Sequence, residues 1–299
     1  MKSARRFATG CALLFTAAAV AAPATRTVRD DSGLSVTVAA DACRIVSLAP
    51  GTTAMLYAAG AGRCLLGTIA HSKEPAEAAS VPVIGDAETL DFEQLLALRP
   101  AVVVIAIDVV QRVRIDRIRA LGIPVYQVHV TSLGQMPDSL RRLGELTGTA
   151  ATAQVAAAKL GADLGAVGAR YRNRKPVRVL YQIWDRPIYT IGGQHVITDA
   201  LRICGATNVF ADLSTAAPAV TREAVLLRDP ELIIVSAPPG SAHEWLAEWQ
   251  RFPGISAVRN RQVRGYTDER MDRMGPSVIE ATASLCELVD GARDGLASR

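Results

Sequence analysis

Two glutamates, Glu93 and Glu223, stand in matching phrases of this chain. The first phrase runs Phe92-Glu93-Gln94-Leu95-Leu96-Ala97-Leu98-Arg99-Pro100 and leads into Ala101-Val102-Val103-Val104-Ile105. The second, about 130 residues on, runs Arg222-Glu223-Ala224-Val225-Leu226-Leu227-Arg228-Asp229-Pro230 and leads into Glu231-Leu232-Ile233-Ile234-Val235. In each, the Glu opens a short helical stretch, a Pro ends it and an apolar strand follows. An exposed carboxylate pairs best with a guanidinium, in a bidentate geometry that sets register as well as affinity. Two carboxylates at equivalent places imply two similar lobes, and hence a two-lobed binding protein with a matched pair of docking acids.

The remaining candidates fall on loops at the carboxyl ends of strands, where open parallel sheets bind ligands. Pro50-Gly51-Thr52 opens a helix and could present backbone N–H groups to a polar ligand edge. His71 follows a strand and could coordinate a metal centre or hydrogen-bond an amide. Trp184 and Tyr189 flank Asp185-Arg186-Pro187 and offer apolar area suited to a macrocycle. Tyr266 and Arg273 are weaker candidates on a charged loop. Trp245 and Trp249, four apart on one helix, read as core packing. No nucleophile elbow, metal-ligand cluster or paired carboxylates stand at a plausible site, so no catalytic residue and no metal site is assigned.

Strands and helices alternate along the chain, with continuous apolar strands of the kind found in sheets covered on both faces. Val36 to Val38 reads as the second arm of a small hairpin. Strands are expected at Ile45 to Leu48, Leu65 to Ile69, Val102 to Ile105 and Val125 to Val128, with helices at Thr52 to Ala59, Glu93 to Leu98, Arg112 to Leu121 and Gln135 to Thr147. Ala150 to Arg172 is Ala-rich and free of Pro, a single helix long enough to bridge two lobes. The pattern then resumes, with strands at Val177 to Gln182, Leu232 to Val235 and Val263 to Tyr266. Its helices are Val196 to Cys204, Glu223 to Arg228, His243 to Gln250 and Pro276 to Arg293. The expected fold is α/β: two Rossmann-like lobes with mostly parallel sheets, bridged by one long helix. The expected divisions are a signal at 1–21, an extension with a short hairpin at 22–42, lobes at 43–149 and 175–299, and the linking helix at 150–174.

Met1 to Ala21 has a basic start, an apolar middle and an Ala-Val-Ala end, and reads as a secretory signal. Cys11 precedes the apolar stretch and goes with it. Loss of Lys2, Arg5 and Arg6 lowers the net charge from +4 to +1, which leaves no basic field for nucleic acid or a membrane surface. Four cysteines survive, and an exported chain favours bridges over buried thiols. Three pairings exist. Cys43 and Cys64 each precede a strand, and the beginnings of neighbouring parallel strands are adjacent, so these two suit one bridge. That leaves Cys204–Cys286 as the other.

The phrase Arg44-Ile45-Val46-Ser47-Leu48-Ala49-Pro50-Gly51-Thr52-Thr53 resembles the entry signature of the periplasmic substrate-binding proteins whose two lobes are joined by one helix. These serve importers of cobalamin, haem and ferric siderophores. Val179-Leu180-Tyr181-Gln182-Ile183-Trp184, Gly192-Gly193, the stretch Leu201 to Phe210 and Arg273-Met274-Gly275-Pro276 are most similar to the cobalamin branch. The resemblance implies a Cys204–Cys286 bridge, permease-docking roles for Glu93 and Glu223, and an aromatic-lined cleft. Here His71 takes one expected Tyr position, and small residues near Ala87 and Ala217 take two expected Trp positions. The implied role is a periplasmic monomer without a catalytic cofactor. It would carry a corrinoid, cobalamin, to an inner-membrane ABC permease dimer. Haem or a ferric siderophore in the same fold is the nearest alternative, and a secreted enzyme the remote one.

Overall fold

The computed structural model describes residues 24–41, 43–106, 111–238 and 240–297. The signal segment and Cys11 lie outside the described residues. A hairpin comes first: β1 (Thr25–Arg29) pairs antiparallel with β2 (Ser35–Ala39). Period-two alternation puts Val28, Val36 and Val38 on one buried face, while Thr27 and Thr37 share a 2.8 Å hydroxyl bond on the other. The turn is anchored through Asp31, whose carboxylate accepts from Ser139 Oγ (2.6 Å), from Arg142 Nη2 (2.7 Å) and from the backbone N–H of His129 (3.0 Å).

The first lobe contains β3 (Ile45–Ser47), α1 (Pro50–Ala58), β4 (Leu65–Gly67), α2 (Phe92–Leu98), β5 (Val102–Ala106), α3 (Gln111–Ala120), β6 (Val125–Val128) and α4 (Met136–Thr147). Its sheet has the order β4-β3-β5-β6 and is parallel throughout. The strands are apolar because helices cover both faces. Met55, Leu56, Leu140 and Leu143 pack on one side together with the hairpin valines; Leu95, Ile115 and Ile118 pack on the other.

The long helix α5 (Ala150–Tyr171) has 22 residues and so spans about 33 Å at ~1.5 Å per residue. Ala153 and Ala157 near its start enter the first lobe's core, whereas Leu160 and Tyr171 enter the second's.

The second lobe contains β7 (Val177–Trp184), β8 (Ile188–Thr190), α6 (Val196–Ile203), β9 (Ala206–Asn208), β10 (Ala219–Val220), α7 (Arg222–Arg228), β11 (Leu232–Val235), α8 (Ala242–Trp249), α9 (Ser256–Arg259), β12 (Val263–Gly265), α10 (Arg270–Arg273) and α11 (Val278–Ala297). The parallel set β9-β7-β11-β12 repeats the order β4-β3-β5-β6 of the first lobe. The sheet is nevertheless mixed, because β8 folds back antiparallel on the end of β7 and β10 extends that edge. The turn through Asp185-Arg186-Pro187 is tight enough for this reversal, and it makes Trp184 and Tyr189 strand partners rather than two sides of one open loop. The disulfides Cys43–Cys64 and Cys204–Cys286 are both formed, with Cα separations of 4.5 and 4.6 Å.

The repeated phrase folds into a repeated unit. Both α2 and α7 are seven-residue helices with one fully buried side chain each, Leu95 and Val225. Asp91 caps the first by accepting from Glu93 N and Gln94 N; Thr221 caps the second by accepting from Ala224 N. Each ends in a left-handed non-glycine residue, Arg99 (φ 45°) or Asp229 (φ 40°), immediately before the proline and the strand.

Candidate functional site

The two lobes enclose a cavity of about 750 Å³ at the carboxyl ends of both sheets. The first lobe supplies Ala49-Pro50-Gly51-Thr52 beyond β3, His71 beyond β4, Ala106 at the end of β5, Arg112 on α3, Val128 at the end of β6 and His129 to Thr131 just after it. From the second lobe come Gln194, His195, Ala216 and the group Glu269, Asp272, Arg273 and Met274. An adjoining cavity of about 600 Å³ reaches into the second lobe past Ile183, Trp184, Ile197, Ser236 and Pro238. It shares His195, Glu269, Asp272 and Met274 with the first.

The start of α1 is pinned by a buried hydroxyl network. Thr52 and Thr53 both donate to the Ala49 carbonyl, at 2.9 and 3.1 Å, and Thr53 also meets Ser47 (2.9 Å) and Thr68 (2.9 Å). The Thr52 hydroxyl is thereby occupied inward, and what this turn offers the cavity is backbone. Gly51 is required by close approach: a Cβ there would stand 2.1 Å from the Arg273 carbonyl oxygen of the other lobe. Gly275 similarly faces Ala54. Glu74 crosses between the lobes, accepting from Ser277 Oγ at 2.9 Å and standing 4.0 Å from Arg273 Nη1.

Three of the chain's four histidines line the main cavity. His71 is exposed and left-handed (φ 67°), a conformation uncommon outside glycine that concentrates at functional sites. His129 is exposed, with its backbone held by Asp31. His195 is half-buried and caps α6, its Nδ1 accepting from Ile197 N at 3.1 Å. Burial pushes its imidazolium down to about 4, so the ring is neutral above that pH. Asp272 is exposed on the cleft wall, yet partial desolvation there pushes its carboxyl up, and neighbouring Glu269 and Asp268 add to the shift while Arg273 opposes it. Arg273 itself is paired with Glu269.

Pro50, Gly51, Thr52, His71 and Arg273 are brought together on the main cavity, and Trp184 stands on the adjoining one, 49% exposed and edge-on to Trp245. Tyr189 is half-buried beside Trp184 in the sheet and lines neither cavity. Ala87 and Ala217 are exposed and lie outside both linings, although Ala216 is on the main one. Tyr266 belongs to the core: it is 6% exposed, and its hydroxyl donates to the Ala281 carbonyl at 2.7 Å. Trp245 and Trp249 are buried, and Trp249 Nε1 donates to Gln182 at 2.7 Å.

Sequence reasoning missed His129, Arg112, His195, Glu269 and Asp272. His129 was within reach, since it follows β6 as His71 follows β4. No local signal marks His195, which occupies a capping position usually held by Ser, Thr, Asp or Asn.

Glu93 and Glu223 are both exposed at the second position of their helices. Each helix is joined by a short link to the start of the next strand, so its own start lies toward the carboxyl end of the sheet, the side of the cleft. The Glu223 carboxyl is held below its usual range by its own backbone N–H and the Thr221 hydroxyl. Beside them Leu96 and Leu226 are 46% and 42% exposed, each three residues after its Glu. Among the described residues no helix is long and apolar enough to cross a membrane.

The vitamin B12-binding proteins of Vibrio parahaemolyticus and Vibrio cholerae are similar to this chain. The first is 28% identical over 244 residues, covering 82% of this chain and 88% of the relative. The second is 29% identical over 244 residues, covering 81% and 87%. The crystal structure of the periplasmic vitamin B12-binding protein of Vibrio cholerae superimposes with a TM-score of 0.76 at 27% identity, covering 85% of this chain and 98% of that one. A periplasmic haem-binding protein from Roseiflexus shares the fold, with a TM-score of 0.71 at 23% identity, covering 84% of this chain and 98% of the other. Residues 45–269, most of the described chain, match the periplasmic binding protein family, and the chain belongs to it.

Proposed function

We propose that this chain is the periplasmic solute-binding component of an ATP-driven importer, which captures a corrinoid, cobalamin, between its lobes and delivers it to an inner-membrane permease dimer. The observation that carries the proposal is the cleft itself. Both sheets aim their carboxyl ends into a mostly apolar cavity, with Trp184 at its extension and acidic residues, rather than an arginine cluster, on the second wall. Such a lining suits a large ligand with an uncharged fringe and argues against an anionic siderophore. The similarity to vitamin B12-binding proteins supports the same cargo. The protein acts as a monomer and binds and releases without covalent chemistry; turnover of a broad ester or phosphate panel would contradict this.

The matched carboxylates Glu93 and Glu223 dock one to each permease subunit, through bidentate pairing with arginines. Pro50, Gly51, Thr52, His71, Trp184 and Arg273 form the contact set for the cargo. Titration calorimetry with cyanocobalamin, dicyanocobinamide and haemin tests the cargo assignment, and one-to-one corrinoid binding is the expected result. The second reading, haem, is favoured by one observation: His71 and His129 each present an imidazole able to ligate an axial position. Haem binding with a sharpened Soret band would select it.

A further inference from the structure

We infer that His195 is a fixed hydrogen-bond donor to the cargo, offering Nε2–H to an uncharged acceptor oxygen such as an amide carbonyl on the fringe of a corrin ring. The inference rests on the corrinoid reading of the cleft. The cap bond of α6 fixes the tautomer of the ring. The backbone N–H of Ile197 can only donate, so Nδ1 of His195, 3.1 Å away, must be the acceptor and carries no proton. The proton of the neutral ring therefore sits on Nε2. That nitrogen makes no hydrogen bond within the described residues, and the half-buried residue borders both cavities.

The base of the ring is held rigidly. Gly192 and Gly193 are packed so closely on neighbouring backbone that an added Cβ would stand 1.9 Å from Thr215 O and 2.0 Å from Ala211 O. Thr198 ties the same segment from the helix side, donating to Gly192 O at 2.7 Å. Burial keeps the ring neutral above pH of about 4, so it offers one donor of fixed direction rather than a mobile cation.

The surroundings define the acceptor. Glu269 and Asp272 line both cavities with His195, and the nearby Arg273 is already engaged by Glu269. A carboxylate brought to His195 would meet these acids, whereas an amide carbonyl would not be repelled. The same cap bond separates His195 from His71 and His129. Coordination of a metal through Nε2 would require the proton on Nδ1, which would then face the Ile197 N–H donor to donor.

His195→Ser tests this, because a serine hydroxyl retains the helix cap while removing the reaching donor. The expected result is an unchanged melting temperature, with cyanocobalamin and dicyanocobinamide each bound about five- to tenfold more weakly by calorimetry. In the wild-type protein, histidine ¹⁵N chemical shifts read the tautomer directly, and an Nε2–H ring is expected for His195. An Nδ1–H ring, or corrinoid affinity unchanged in His195→Ser while the wild type binds, would overturn the inference and leave the cargo reading intact. Failure of the wild-type protein to bind either corrinoid would overturn both.

Discussion

Replacing Gly51 by alanine should disturb the contact between the lobes more than the fold of either. The added Cβ would stand 2.1 Å from the Arg273 carbonyl oxygen and 3.0 Å from the Met274 carbonyl carbon. Non-bonded heavy atoms settle at ~3.5–4.0 Å, so relief requires movement of more than about 1 Å. Neither side yields easily. The start of α1 is tied down by the Ser47, Thr52, Thr53 and Thr68 hydroxyls, and the Arg273–Met274 turn by a left-handed Met274 and the Arg273–Glu269 pair. Overpacking of this kind costs about 1–3 kcal/mol, which corresponds to a fall of roughly 2–5 °C in Tm for a protein of this size. If the lobes part instead, the strain is relieved, but the radius of gyration by small-angle scattering rises and cargo affinity falls. Gly134→Ala is the matched control, because nothing lies within 4 Å of its added Cβ and its φ is not positive. Identical melting temperature, scattering and cargo affinity in Gly51→Ala and Gly134→Ala would show that the lobes do not meet tightly at Gly51.

Glu93→Gln and Glu223→Gln should each leave cargo affinity and stability unchanged while slowing delivery to permease-containing vesicles, and the double variant should abolish it; weaker cargo binding would place these carboxylates elsewhere. Removing the Cys204–Cys286 bridge, which closes 82 residues, should cost about 4–5 kcal/mol, and removing Cys43–Cys64, which closes 21, about 3 kcal/mol, both read by chemical denaturation. Because burial lowers the folded pKa of His195 to about 4, the unfolded chain binds the extra proton between there and ~6.5, so stability falls as the pH drops through that window. His195→Ser should flatten that fall, measured as denaturation midpoints between pH 4 and 7, with raised Asp272 acting in the opposite sense on the acid side. His71→Ala should weaken cyanocobalamin binding by calorimetry while leaving the visible spectrum of the bound corrinoid unchanged; unchanged affinity would remove His71 from the contact set.

The parts legible in the sequence were those written in local patterns. The two Glu-to-Pro phrases became equivalent capped helices, and the apolar runs Val125–Val128 and Leu232–Val235 became strands with those bounds. The linking helix was legible because 22 residues without Pro and rich in Ala have little alternative. Other features depended on contacts between distant residues. Asp185-Arg186-Pro187 carries ordinary turn chemistry, and only the pairing of β8 with β7 shows that it closes a hairpin and puts Tyr189 in the sheet. Tyr266 follows β12 as a cleft residue would, yet the Ala281 carbonyl and the Tyr181 ring claim it for the core. His195 became visible only when α6 was seen to start there, between two cavities.

The cleft is proposed to hold a corrinoid. The most direct test is calorimetric titration of the protein beginning at Ala22 with cyanocobalamin and haemin, with visible spectra of the same samples. One-to-one binding of cyanocobalamin and no response to haemin are expected. Haemin binding with a sharpened Soret band and no heat from cyanocobalamin would contradict it.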